Sequence, residues 1–253
     1  MKLQDSVIAI TGGGQGLGRA MAEYLAARGA RLALIDLVPE KLEAAAEACK
    51  AAGGDARAYT CNVAREADVE ATFASIIEDF GQLNGVINNA GILRDGLMIK
   101  ARDGEISKRM TLAEWQAVID VNMTGVFLCG REAATKMIEN GDKGVIINIS
   151  SISRAGNMGQ SNYSAAKAGV AALVPVWAKE LSRYGIRAMG IAPGFIETEM
   201  TASMKPEALE KMSAGIPLKR MGKPEEIASA AAFIIENDYM SGRMIEVDGA
   251  LRL

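Results

Sequence analysis

Short apolar runs alternate with segments of helical periodicity along the whole chain. Val7-Ile8-Ala9-Ile10 and Leu32-Ala33-Leu34-Ile35 are apolar throughout, the pattern of strands covered on both faces. Between them Leu17, Met21 and Leu25 recur at helical spacing, with Ala20, Ala22, Ala26 and Ala27 around them and Gly29 as a stop. Carried to the end, the alternation predicts strands near 6–11, 30–36, 56–61, 83–88, 143–150, 185–192 and 243–247. It predicts helices near 16–28, 39–52, 65–80, 111–139, 161–184, 206–213 and 224–236. Thr111 with Glu114 makes a capping box ahead of Trp115, and Pro224 suits a first helical turn. Such alternation implies an α/β fold, a parallel sheet with helices on both faces. No linker or repeat interrupts it, so residues 1–253 read as one domain.

Two segments depart from the pattern. Pro175 falls inside the helix near 161–184, where its missing amide and its ring should kink the chain. Residues 94–110 read as a long solvated loop carrying Arg94, Lys100, Arg102, Lys108 and Arg109 with Asp95, Asp103 and Glu105. This loop follows the fourth strand's carboxyl end, the side where ligands sit in such sheets, and is expected to overhang a substrate mouth.

Composition narrows the class. Of 253 residues 49% are hydrophobic, enough for a sizeable core, and the net charge of −3 favours neither nucleic acid nor an anionic membrane. No apolar run is long enough to span a bilayer, and no basic-then-apolar leader opens the chain, so a soluble, cytoplasmic protein is expected. Cys49, Cys61 and Cys129 are odd in number and widely spaced, which suits reduced thiols and no zinc site. There is no histidine, so any proton transfer near neutral pH must use another tuned group, and a transition-metal centre is not expected.

Tyr163 and Lys167 supply such a group. Four residues apart on a helix they share a face, and a neighbouring ammonium favours a phenolate. Lowering a tyrosine pKa by about 3 units takes roughly 4 kcal/mol of differential stabilisation. At the other end of the chain Thr11-Gly12-Gly13-Gly14-Gln15-Gly16-Leu17-Gly18 joins the first strand to the first helix. Its glycines let backbone amides approach a diphosphate at a helix N-terminus. Asp36 ends the second apolar run, about where an acid meets adenosine ribose hydroxyls.

With these residues in place the chain resembles the short-chain dehydrogenase/reductase family nearly end to end. The likeness rests on the glycine turn, Asn62-Val63, Asn88-Asn89-Ala90-Gly91, Asn122, Ser150-Ser151, the Tyr163/Lys167 pair, and Pro193-Gly194 followed by Ile196 and Thr198. Within the family it looks most like 3-oxoacyl-acyl-carrier-protein reductases. The resemblance implies a Rossmann-type, doubly wound sheet of seven mostly parallel strands. It implies that Tyr163 exchanges the substrate proton, that Lys167 tunes Tyr163 and binds nicotinamide ribose, and that Asn122 holds a relay water. A serine polarises the substrate oxygen; the strand-end pattern selects Ser151, while counting back from Tyr163 selects Ser150, and Ser151 is preferred. Cofactor contacts are implied for Gly12, Gln15, Gly16, Leu17, Gly18, Asp36, Leu37, Asn62, Val63, Asn89, Ala90, Gly91, Pro193, Gly194, Ile196 and Thr198, besides Tyr163 and Lys167. Relatives assemble as tetramers through the helices near 111–139 and 161–184.

Cofactor choice follows from charge. A carboxylate at Asp36 accepts both ribose hydroxyls and repels a 2′-phosphate, and neither Gln15 nor Leu37 is basic, so NAD(H) is expected over NADP(H). The expected reaction interconverts a ketone and a secondary alcohol, with a 3-oxoacyl thioester as the favoured substrate, on an acyl carrier protein or another carrier. Dehydrogenation of another small alcohol, sugar or polyol, or a catalytically idle cofactor-binding role, stands as the alternative.

Overall fold

The computed structural model describes residues 1–198 and 206–252. A seven-stranded sheet runs through it in the order β3-β2-β1-β4-β7-β8-β9, every neighbouring pair parallel. The strands are β1 (Val7–Thr11), β2 (Arg31–Asp36), β3 (Asp55–Thr60), β4 (Gly85–Asn88), β7 (Gly144–Ile149), β8 (Ile186–Pro193) and β9 (Arg243–Val247). The order reverses at a crevice between β1 and β4, and right-handed crossovers then place the helices of the two halves on opposite faces.

Period-two alternation decides which helices cover which face. Ile8 and Ile10 of β1 join Leu32 and Leu34 of β2 in a core with α1 (Gly16–Ala26), α2 (Pro39–Ala51) and α8 (Pro224–Glu236). Val7, Ala9, Ala33 and Ile35 point the other way. They pack with α3 (Glu66–Phe80), α5 (Gly125–Asn140) and α6 (Ser161–Leu181), centred on Phe73, Ile76 and Trp177. Burying a side chain such as Phe73 or Ile76 contributes about 1.5–3 kcal/mol, so the two apolar layers dominate the stability. The parallel sheet with helices on both faces expected from the alternation, and the doubly wound order implied by the resemblance, are the ones observed.

The predicted capping box is present: the Glu114 backbone N–H donates to Thr111 Oγ1 at 3.1 Å and the Thr111 N–H to Glu114 Oε2 at 2.8 Å. Three local expectations change. The helix near 111–139 is divided into α4 (Leu112–Ile119), a π turn (Asp120–Thr124) and α5. α6 ends at Leu181, short of 184, with Pro175 inside it; the residue is exposed, so water can serve the carbonyl that its missing amide leaves free. Residues 94–110 are not an irregular loop. They hold an antiparallel hairpin, β5 (Ile99–Arg102) and β6 (Glu105–Arg109), turned by Asp103 and Gly104, both at positive φ. α7 (Pro206–Gly215) lies where a helix was expected, while residues 199–205 of the loop before it fall outside the described residues. Among the described residues no helix is long and apolar enough to cross a membrane.

Candidate active site

A cleft of about 660 Å³ opens over the carboxyl ends of β1, β2, β4, β7 and β8, at the point where strand order reverses. Its size suits a cofactor site. Gly12, Gln15, Gly16 and Leu17 line it from the first turn, Asp36 and Leu37 from the end of β2, and Asn62 and Val63 from the segment after β3. Asn89, Ala90 and Gly91 follow from the end of β4, Ser151, Tyr163 and Lys167 from β7 and α6, and Pro193, Gly194, Ile196 and Thr198 from the end of β8. Residues remote in sequence are thus gathered along one crevice.

The glycine turn is tightly built. Gly12 has φ +65°, and a Cβ there would come within 2.9 Å of Asn89 Nδ2 and 3.0 Å of the Ala90 backbone. Only glycine meets both demands. Gly18 does not line the cleft. A Cβ on it would sit 2.0 Å from the Gly12 carbonyl oxygen, so its work is to let α1 pack against the turn. Thr11 and Asn89 stitch the turn to β4: the Asn89 and Ala90 amides both donate to Thr11 Oγ1 at 3.0 Å, and Asn89 Nδ2 donates to the Thr11 carbonyl at 3.0 Å.

At the adenosine end Asp36 accepts the Gly14 N–H at 3.2 Å and the Leu37 N–H at 2.7 Å, which fixes its carboxylate at the rim. Asn62 Oδ1 accepts the Ala64 N–H at 3.0 Å, leaving its amide hydrogens to meet a ligand acceptor. Lys41, which the sequence did not single out, donates to Gln15 Oε1 and so brings a cation to the glycine turn. Its place in the first turn of α2, five positions past Asp36, was the only signal available.

At the other end the chemistry gathers around α6. Lys167 is 3% exposed, and burial lowers its pKa from 10.5 to about 8. Its Nζ donates to the Ile149 carbonyl at 2.8 Å and stands 5.6 Å from the centre of the Tyr163 ring. Tyr163 departs from expectation, because its pKa is raised. Burial raises it most, a hydrogen bond with Ser151 lowers it, and the Asp95 carboxylate raises it. Burial outweighs the expected lowering by Lys167, whose ammonium faces the Ile149 carbonyl. Of the two serines, Ser151 faces Tyr163 and accepts the Ser153 N–H at 3.1 Å. Ser150 is buried and its Oγ donates to the Lys167 carbonyl at 2.8 Å.

Asn122 is fully buried in the π turn and does not line the cleft. Its Oδ1 accepts the Ile92 N–H at 2.8 Å and its Nδ2 donates to the Ile92 carbonyl at 3.0 Å. Its side chain is a clamp on the segment after β4, so the expected relay water cannot rest on a free side-chain amide. Asn162 was missed as well. It is fully buried, donates to the carbonyls of Arg94 and Glu114 at 3.1 Å each, and accepts the Tyr163 N–H at 2.8 Å. This one amide ties the post-β4 segment and α4 to the start of the helix that carries Tyr163. Its position next to Tyr163 was visible in the sequence, but not its burial.

A family model described as enoyl-(acyl carrier protein) reductase matches residues 12–251. The chain is 37% identical over 254 residues to the 3-oxoacyl-(acyl-carrier-protein) reductase FabG of Thermotoga maritima, covering 99% of each chain. The chain belongs to the short-chain dehydrogenase/reductase family. It is also 39% identical to the human 3-oxoacyl-(acyl-carrier-protein) reductase, covering 98% of this chain and 99% of that one. The acetoacetyl-CoA reductase of Synechocystis is 39% identical, with 98% and 97% covered. Among solved structures, one from Agrobacterium tumefaciens with a suggested gluconate dehydrogenase activity superposes with a TM-score of 0.89 at 35% identity, covering 99% of this chain and 97% of that one. Membership of the short-chain dehydrogenase/reductases makes this protein an oxidoreductase that acts on a CH–OH group with a nicotinamide cofactor. The glycine cradle, the fixed carboxylate and the cleft volume fit such a dinucleotide.

Proposed function

We propose that this protein reduces 3-oxoacyl thioesters to 3-hydroxyacyl thioesters with NADH, reversibly, with residues 1–253 acting as one catalytic domain. The observation that carries the reading is a half-buried Tyr163 that lines, with Ser151 and Lys167, the same cleft as a glycine turn and a rim carboxylate. When bound, the nicotinamide supplies or accepts the hydride. The chain's own residues handle the oxygen and the proton. Ser151 and Tyr163 hydrogen-bond the substrate oxygen, and Tyr163 gives its hydroxyl proton as negative charge develops there. Lys167 binds ribose hydroxyls and provides the nearest cation to the resulting phenolate. Ser150 and the Ile149 carbonyl hold the Lys167 backbone and ammonium. Asn122 positions the post-β4 wall; any relay water it holds rests on its backbone.

NADH is preferred because Asp36 repels a 2′-phosphate. Lys41, held by Gln15 at the glycine turn, offsets this only in part. Thioester reductase names recur among the relatives, and the exposed Leu and Met side chains after β4 suit an acyl chain. The likeness to a structure with suggested gluconate dehydrogenase activity favours a small polyhydroxy acid as the second reading. Cytoplasmic location and a homotetramer built on the α4–α5 and α6 surfaces, with an acyl carrier protein as a donor of substrate, complete the proposal.

The test is NADH absorbance with acetoacetyl-CoA and with gluconate plus NAD. Steady NADH oxidation by the thioester is expected, and Tyr163→Phe should abolish it while the NADH Kd stays within a few-fold. Turnover of gluconate alone would replace the thioester reading, and catalytic efficiency with NADPH at or above that with NADH would overturn the cofactor assignment.

A further inference from the structure

The hairpin β5–β6 pairs with no other strand, and every residue of both strands is exposed. An isolated two-stranded hairpin is marginally stable in water at best, so this one is built to be covered. Its charges point to what covers it. Residues 94–110 hold five cations and three anions in a chain whose net charge is −3, so the segment opposes the charge of the rest. Lys100 stands directly opposite Lys108, a pairing that destabilises a ladder unless an anion lies between. Lys108 reaches Glu114 at 3.3 Å, while Lys100 across from it makes no ion pair among the described residues; Arg109 lies on the opposite face, across from Ile99. Around these cations Met98 and Ile106 are each 64% exposed, and Ile99 is 52% exposed on the Arg109 face. The surface is therefore both cationic and apolar.

Its root is fixed to the active site. The Gly96 N–H donates to the Gly159 carbonyl at 2.8 Å, and Gln160 Nε2 donates to Asp95 Oδ2 at 2.8 Å, three residues before Tyr163. Leu93, just before this root, lines the cleft. The hairpin starts six residues beyond Leu93, on the segment that leaves the cleft. One face of it measures roughly 17 by 10 Å, from strand rise and spacing. That is far below the ~800 Å² that each partner of a stable protein complex buries. The area suits a small ligand with an apolar arm and phosphates.

We propose that this hairpin binds the phosphate-bearing carrier of a coenzyme A thioester whose acyl end occupies the cleft. The inference rests on the thioester reading above and extends it to the carrier. Its test uses the full chain and the double variant Lys100→Glu/Lys108→Glu, both on one face of the hairpin, which leaves the cleft residues intact. Free coenzyme A is titrated calorimetrically: the variant Kd should rise about five-fold or more, the scale of two lost and reversed exposed charge contacts. Added salt should weaken binding to the wild type and not to the variant. The KM for acetoacetyl-CoA should rise by the same factor at constant kcat, while the KM for acetoacetyl-N-acetylcysteamine, which has no phosphate, should hold. Equal Kd values, or equal KM changes for both thioesters, overturn the proposal. So does a variant altered only toward a carrier-protein thioester, or only in its sedimenting mass, since the hairpin then serves a protein or a second copy. A wild type that reduces neither thioester defeats the substrate reading, and the coenzyme A titration then decides the hairpin by itself.

Discussion

Tyr163 is surrounded by influences that oppose one another. Burial and Asp95 push its pKa up and Ser151 pulls it down, while Lys167 points its ammonium at the Ile149 carbonyl. Removing the Asp95 charge should lower the phenol pKa. In the oxidising direction, where the phenolate is the base, Asp95→Asn should therefore move the rising limb of the kcat/KM–pH profile to lower pH. An unmoved limb would place Asp95 outside the tyrosine's field. Lys167 gives a second pH effect. Its folded pKa of about 8 lies below the unfolded 10.5, so the folded state carries a penalty that is full below pH 8 and disappears as pH rises to 10.5. Relative to Lys167→Met, the wild type should gain unfolding free energy on the order of 3 kcal/mol across that window, measured by urea denaturation at pH 7.5 and 10.5.

The π turn between α4 and α5 is the element on which the substrate wall depends. An extra residue in the helical ladder re-aims a side chain, and such bulges collect at functional sites. Here it turns Asn122 inward to take both the N–H and the carbonyl of Ile92. Asn122→Ala leaves both backbone groups without their partner in a buried setting. It should cost about 1–3 kcal/mol, read as a lower urea midpoint at unchanged m, and should lower kcat. Asn162 joins the same post-β4 segment to α6, so the two amides hold the wall at two points. The hairpin beyond them was read as loop because its strands are polar and short. The Asp103-Gly104 turn was the signal for it, two residues that both accept positive φ.

For the molecule as a whole, the ligand cleft exists because strand order reverses between β1 and β4, so loops from both halves of the sheet face one another. A ligand that binds only this assembled form stabilises the entire fold by mass action. NADH at about 100 times its Kd should add about 2.7 kcal/mol and raise the melting temperature, and equal concentrations of NADPH should raise it less. A larger rise with NADPH would contradict the role given to Asp36.

The apolar runs of β1, β2, β4, β7 and β8 and the helical spacing between them carried the fold, because burial on two faces leaves its mark in every residue of a strand. The glycine turn, Asp36 and the Tyr163/Lys167 spacing were equally legible, since each depends on local geometry within a few residues. What required the assembled chain were the contacts between distant segments: Asn122 with Ile92, Asn162 with Arg94 and Glu114, Lys41 with Gln15, and the burial that raises Tyr163 and lowers Lys167. Periodicity reports which side of an element faces inward. It does not report which polar partner waits there or how much water is excluded, and those two quantities set hydrogen bonding and charge at the site.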